Sequence, residues 1–126
     1  MFKRIDHVEI IPRDANKAVE FYGGVLGFTL KERIKLGMGA LDEVIFMGLG
    51  DTALEIVSLK NPSPHPQEAL VGYRMMAIEV DNMEEAIAYL KGKGVEISVE
   101  PVSLAGGSKR AEIKDPDGLG IELRQW

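Results

Sequence analysis

Three side chains in this sequence are of types that can share one cation: His7, Glu55 and Glu122. Each sits in a stretch of strand-like alternation. His7 shares a face with Ile5 and Glu9, Glu55 with Ala53 and Val57, and Glu122 with Gly120 and Arg124. A glutamate between Leu54 and Ile56, or between Ile121 and Leu123, is costly on a dry face. A water-filled cleft, a cationic side chain or a bound metal would each remove that cost. One imidazole and two carboxylates suit a divalent zinc, nickel, cobalt, iron or manganese ion, with open positions left to water and substrate oxygens. The plainer alternatives are a hydrogen-bonded or exposed histidine and glutamates on the wet face of a half-buried sheet. Glu9 reads as a third inward carboxylate or, in preference, a charge on the rim of the same pocket, and Phe46, Met75 and Met76 as apolar lining.

The elements that would position these residues occur twice. Residues 5–11 read as a strand ended by Pro12, followed by a helix capped by Asp14 with Ala18, Phe21, Tyr22 and Val25 on one face. Strands follow over 28–36, 42–48 and 52–59, with Gly37-Met38-Gly39 as a loose loop and Gly50-Asp51 as a hairpin turn. Three prolines at 62, 64 and 66 mark a connection over 61–72. Then comes a strand over 73–80, a helix opened by Asn82-Met83-Glu84-Glu85 at capping-box spacing, and strands over 95–102, 109–114 and 119–124. An offset of 68 aligns His7 with Met75, Ala18 with Ala86 and Phe21 with Tyr89, while 67 aligns Gly27 with Gly94 and Glu55 with Glu122. The expected fold is α+β, two β-α-β-β-β modules (4–60 and 73–126) paired within a single domain, 1–126. That duplication brings His7, Glu55 and Glu122 towards one cleft, with Met75 in the place corresponding to His7.

Composition narrows the partners. The chain has 126 residues, 45% hydrophobic and 28% charged, the balance of a globular protein with a real core. It contains no cysteine, which excludes disulfides, thiolate metal sites and a cysteine nucleophile. A net charge of −5 and the lack of a basic run argue against a nucleic-acid partner. No apolar stretch reaches membrane-spanning length, and the charged start, Met1-Phe2-Lys3-Arg4, does not read as a signal peptide. The expected location is the cytoplasm, the expected partner a small molecule.

Taken together, Ile5-Asp6-His7-Val8, Ala18-Val19-Glu20-Phe21-Tyr22 with Leu26-Gly27-Phe28, Leu54-Glu55-Ile56, Ala77-Ile78-Glu79-Val80-Asp81, and Asp115-Pro116-Asp117-Gly118 with Ile121-Glu122-Leu123 resemble the glyoxalase, bleomycin-resistance and ring-cleaving dioxygenase group, the vicinal oxygen chelate superfamily. The resemblance implies paired modules forming an open, U-shaped mixed sheet around a metal cleft, commonly in a homodimer. It implies ligands at His7, Glu55 and Glu122. The fourth ligand of metal-dependent glyoxalase-like members is usually a histidine, and here that position is Met75. Glutamate at 55 is more similar to glyoxalase I than to the dioxygenases, and methylmalonyl-CoA epimerases resemble much of the chain.

The reaction class this implies is a lyase, isomerase or epimerase on a small 2-oxo, thiohemiacetal or thioester compound. A carboxylate, Glu122 or its near-equivalent Glu55, would move a proton at the carbon beside two chelated oxygens. The alternative from a different class is a metal-free binding protein of the bleomycin-resistance kind, sequestering an aromatic or drug-like ligand; Met75 in place of histidine favours it.

Overall fold

Leu54 and Ile56 are buried completely, while Ala53, Glu55 and Val57 on the opposite face of the same strand are only partly covered. That alternation is the period of a sheet with one dry face, and it organises both halves of the chain. The computed structural model describes all residues, 1–126, and divides into two units, Met1–Pro64 and His65–Trp126. Each unit is β-α-β-β-β with one four-stranded mixed sheet. No helix is long and apolar enough to cross a membrane.

In the first unit, β1 (His7–Ile10) leads to α1 (Ala15–Val19) and then to β2 (Thr29–Met38), β3 (Leu41–Leu49) and β4 (Thr52–Leu59). The sheet order is β1-β4-β3-β2, with β1 parallel to β4 and the other pairs antiparallel. Asp14, in an extended conformation, caps α1 by accepting from the Lys17 amide at 3.1 Å. The expected regular helix does not continue: residues Glu20–Val25 form a π-helical turn in which the Leu26 amide donates to the Phe21 carbonyl at 3.1 Å. Gly23 and Gly24 lower the cost of leaving α geometry. A Cβ on Gly23 would stand 3.2 Å from the Met47 Cε, so the turn lies close against β3. It seats Phe21 and Tyr22 together in the core, with Tyr22 edge-to-face against both Phe21 and Phe28.

β2 also runs further than expected. Gly37 and Gly39 take φ of 58° and 61°, and the register slips between Lys35 and Met38, so these glycines bulge the hairpin rather than end the strand at residue 36. Arg33 ties this exposed strand down. Its guanidinium donates to Glu43 twice, at 2.5 and 3.2 Å, and to Asn16 at 3.0 Å. Glu43 is buried, and its contact with Arg33 holds the carboxyl below the usual glutamate range despite the burial. A depressed folded-state pKa gives stability that is full above a glutamate's ordinary value, near 4.5, and is lost as pH falls through the folded value. Glu43→Gln is therefore expected to lose about 1–2 kcal/mol at neutral pH, a charge-assisted pair discounted for the part-exposed arginine. Chemical denaturation across pH checks this, since the gap between variant and parent should narrow once pH falls below 4.5 and close as it passes the depressed folded value.

In the second unit, β5 (Met76–Glu79) leads to α2 (Met83–Gly92), then β6 (Ile97–Ser103), β7 (Lys109–Lys114) and β8 (Gly120–Gln125), in the order β5-β8-β7-β6. β5 is parallel to β8. The first strand is shorter than the expected 73–80, because pairing with β8 begins only at Met76 opposite Ile121. Asn82 accepts from the Glu85 amide at 3.0 Å, the cap its spacing implies. Met83, Ile87 and Leu90 are buried with Ala111, Ile113, Ile121 and Leu123 from the sheet. Burying side chains of this size contributes about 1.5–3 kcal/mol each. The turn into β8 is held by Asp115, whose Oδ1 accepts from the amides of Asp117 and Leu119 at 2.8 and 2.9 Å.

The two units match in register. Glu9 stands opposite Glu55, and Ala77 opposite Glu122; Phe46 pairs with Glu55 from the other side, and Glu112 with Glu122. The offsets of 68 and 67 in the sequence are thus real equivalences of strand position.

Candidate metal centre

Parallel pairing of β1 with β4 sets His7 opposite Ala53 and Glu9 opposite Glu55, on the faces turned away from Ile10, Leu54 and Ile56. The side chains meet there. His7 Nε2 lies 3.0 Å from a Glu55 oxygen and 3.7 Å from a Glu9 oxygen. One ligand atom from each of the three falls within 4.8 Å of the others. Two donors each about 2.1 Å from one cation are separated by about 3.0 Å at a right angle and about 3.4 Å at the tetrahedral angle. His7 Nε2 and the Glu55 oxygen are therefore spaced as two ligands of one divalent ion would be, with the Glu9 oxygen slightly farther out, and their hardness fits first-row metals such as zinc, nickel, cobalt, iron and manganese.

The ring is oriented from behind. His7 Nδ1 contacts the Asp6 carboxylate at 3.0 Å, which leaves Nε2 directed at Glu55. A carboxylate on the far ring nitrogen fixes tautomer and plane and raises ligand basicity. The Phe46 ring stands edge-on to His7, 6.3 Å between centroids, and packs the other side. The hydrogen bond that His7 donates to the Asp6 carboxylate raises the His7 pKa most, against partial burial, with the charge of Glu55 adding to it. Glu55 is also raised, first by burial and then by Glu9 beside it, with His7 only partly offsetting them.

Glu122 lies in the second unit and has a different environment. Arg124 Nη1 is 3.1 Å from one of its oxygens and Arg110 Nη2 is 3.4 Å from the other. Arg110 also pairs with the buried Glu112, which Arg74 reaches at 3.0 Å. Burial alone would lift the Glu112 pKa, but these two guanidiniums hold it below the usual range. Arg124 in turn stacks on Trp126, 4.3 Å from the ring centroid. Met75 precedes β5 and lies against Gly120, where an added Cβ would meet its Cε at 2.9 Å; its sulfur accepts from Arg74. Met76, the first residue of β5, is half-buried opposite Ile121.

Of the residues singled out by type and spacing, His7, Glu55 and Phe46 are brought together by the first unit, while Glu122, Met75 and Met76 belong to the second. Glu9 matches a rim charge in being 62% exposed at its side chain, yet its carboxylate stands among the donors. Asp6 escapes a reading by alternation, which puts it on the opposite face from His7. It lies one residue before β1 begins, so its side chain is free to curl onto the ring. The pairing with Glu122 is open to reading for Arg124, two residues along the same strand face, but not for Arg110 on β7.

The family model for the Glyoxalase/Bleomycin resistance protein/Dioxygenase superfamily matches residues 4–123. The chain belongs to this superfamily. Human mitochondrial methylmalonyl-CoA epimerase is 32% identical over 97% of this chain and 73% of its own length. A probable lactoylglutathione lyase of Vibrio cholerae is 31% identical over 97% of this chain and 90% of its own. Among solved structures, a glyoxalase family protein from Enterococcus faecalis superposes with a TM-score of 0.85 at 30% identity, covering 98% of each chain. The α+β architecture of two four-stranded mixed-sheet units is accordingly the glyoxalase-superfamily fold.

Proposed function

We propose that this glyoxalase-superfamily member is a divalent-metal-dependent lyase, isomerase or epimerase that moves a proton on a carbon next to a carbonyl. One observation carries the reading. Four strand glutamates have side chains 20% exposed or less, namely Glu43, Glu55, Glu112 and Glu122, and all but Glu55 meet a guanidinium. Glu55 faces only His7 and a second carboxylate, Glu9, directly across the strand pair. Like charges so placed are destabilising without a cation. His7 and Glu55 would hold that ion.

A divalent cation bound there supplies Lewis acidity, polarising a carbonyl oxygen and stabilising the charge that builds when the neighbouring C–H is broken. The chain supplies the proton acceptor. Of the two candidate carboxylates, Glu55 is the better suited. No guanidinium engages its oxygens, so it is free to accept and return a proton. The oxygens of Glu122 are already engaged by Arg110 and Arg124, which does not suit a mobile base. Asp6 keeps the His7 ring in place, and Phe46 stands edge-on to it.

The named activities of the two relatives, a lactoylglutathione lyase and a methylmalonyl-CoA epimerase, point to thiohemiacetals or acyl thioesters as the substrate class. Both chemistries need one proton moved beside a carbonyl, so a common assay serves. With methylglyoxal plus a thiol, or a 2-methyl-branched acyl thioester, in deuterated water, the expected result is deuterium entering at the carbon next to the carbonyl. Chelator should stop it and a divalent ion restore it. No exchange on either substrate, together with tight ligand binding in the absence of metal, would move the protein to the binding class instead.

A further inference from the structure

We propose that Glu9 is itself a metal ligand, the third donor of the first unit beside His7 and Glu55. The proposal rests on the metal-dependent reading of the site and extends it to a residue outside the His7, Glu55 and Glu122 set.

Geometry gives the first reason. His7 and Glu9 are two apart on one strand and share its face, and Glu55 is directly opposite Glu9 on β4. From there the Glu9 carboxylate leans back to 3.7 Å from His7 Nε2, so the three side chains close around one point. The second reason is charge. Neither Glu9 nor Glu55 is bridged by a lysine or arginine; the imidazole alone faces both. The comparison between units supplies the third. The register partner of Glu122 in the second unit is Ala77, a methyl group, whereas the partner of Glu55 is a carboxylate. In the second unit two arginines balance the central glutamate. In the first, a further negative charge has been added beside it. That arrangement costs stability in the metal-free protein and repays it only when a cation arrives.

A ligand and an ordinary surface carboxylate respond differently to substitution. Removing the charge of a surface carboxylate leaves metal affinity alone. Removing a ligand that repels its neighbour weakens metal binding and, at the same time, relaxes the metal-free protein. The test is a chelator-competition titration with Zn²⁺ alone on the full chain, for the parent, Glu9→Gln and Glu9→Ala, with thermal unfolding run in parallel in chelator and in excess Zn²⁺. The expected result is a loss of Zn²⁺ affinity of about 10- to 100-fold or more in both variants. The midpoint in chelator should be unchanged or raised, and the Zn²⁺-induced rise in midpoint reduced. Parent-like affinity in both variants would overturn the assignment of Glu9 while leaving the metal reading intact. Failure of the parent to bind Zn²⁺ or any other first-row divalent ion would overturn both.

Discussion

Glu55→Gln is expected to lower the rate of proton exchange by about 10²- to 10⁴-fold, the usual worth of a positioned general base. The substitution keeps size and shape but removes the charge and the acceptor. It should do so without unfolding the unit. Leu54 and Ile56, which anchor β4, point to the other face, and no guanidinium depends on Glu55 for its counter-charge. The corresponding change at Glu122 is less clean, because Arg110 and Arg124 would both lose a partner, and a fall in activity there would mix chemistry with rearrangement. The measurement is kcat/KM for exchange at saturating metal, with the thermal midpoint as control. A Glu55→Gln protein that folds, holds metal and exchanges at the parent rate would assign the base elsewhere, and Glu122 would be the first candidate.

The second large effect is expected from Met75→His. The register makes position 75 the counterpart of His7: one precedes β5 as the other opens β1, and each lies beside a small residue of the partner strand, Gly120 or Ala53. Gly120 has no Cβ to compete with a ring at that place. Exchanging a thioether for an imidazole replaces a soft, weak donor with the commonest nitrogen ligand of first-row metals. Zn²⁺ affinity should rise by on the order of 10-fold or more, each tenfold being about 1.4 kcal/mol. The loss of the Arg74 contact to the Met75 sulfur is a small cost at an exposed position. An affinity equal to the parent's would mean that position 75 takes no part in metal binding.

Much of this arrangement is legible without coordinates, and the reasons are specific. Leu54-Glu55-Ile56 and Ile121-Glu122-Leu123 carry the two-residue period of a sheet with one dry face, and their strands begin within a residue of where that period places them. Asn82 and Glu85 have the spacing of a cap and form its bond. The offset between His7 and Met75 is a register relation because the two halves pair their first and last strands in the same way. The π turn over Glu20–Val25 is not legible. It seats Gly23 against Met47 of β3, a contact between elements that no local periodicity records. For the same reason spacing does not assign Arg110 to Glu122, nor Arg33 to Glu43: each pair joins neighbouring strands, and register decides which side chains meet. Glu9 shows the limit from the other direction. Alternation places it on the face of His7, but whether a long, exposed carboxylate turns outward or inward depends on what stands across the strand.

Elemental analysis of the protein purified without chelator bears most directly on whether this fold carries a metal at all. The expected result is about one first-row divalent ion per chain, diminished in Glu55→Gln and His7→Ala. A chain that emerges metal-free, and takes up none of these ions on titration while remaining folded, would contradict it.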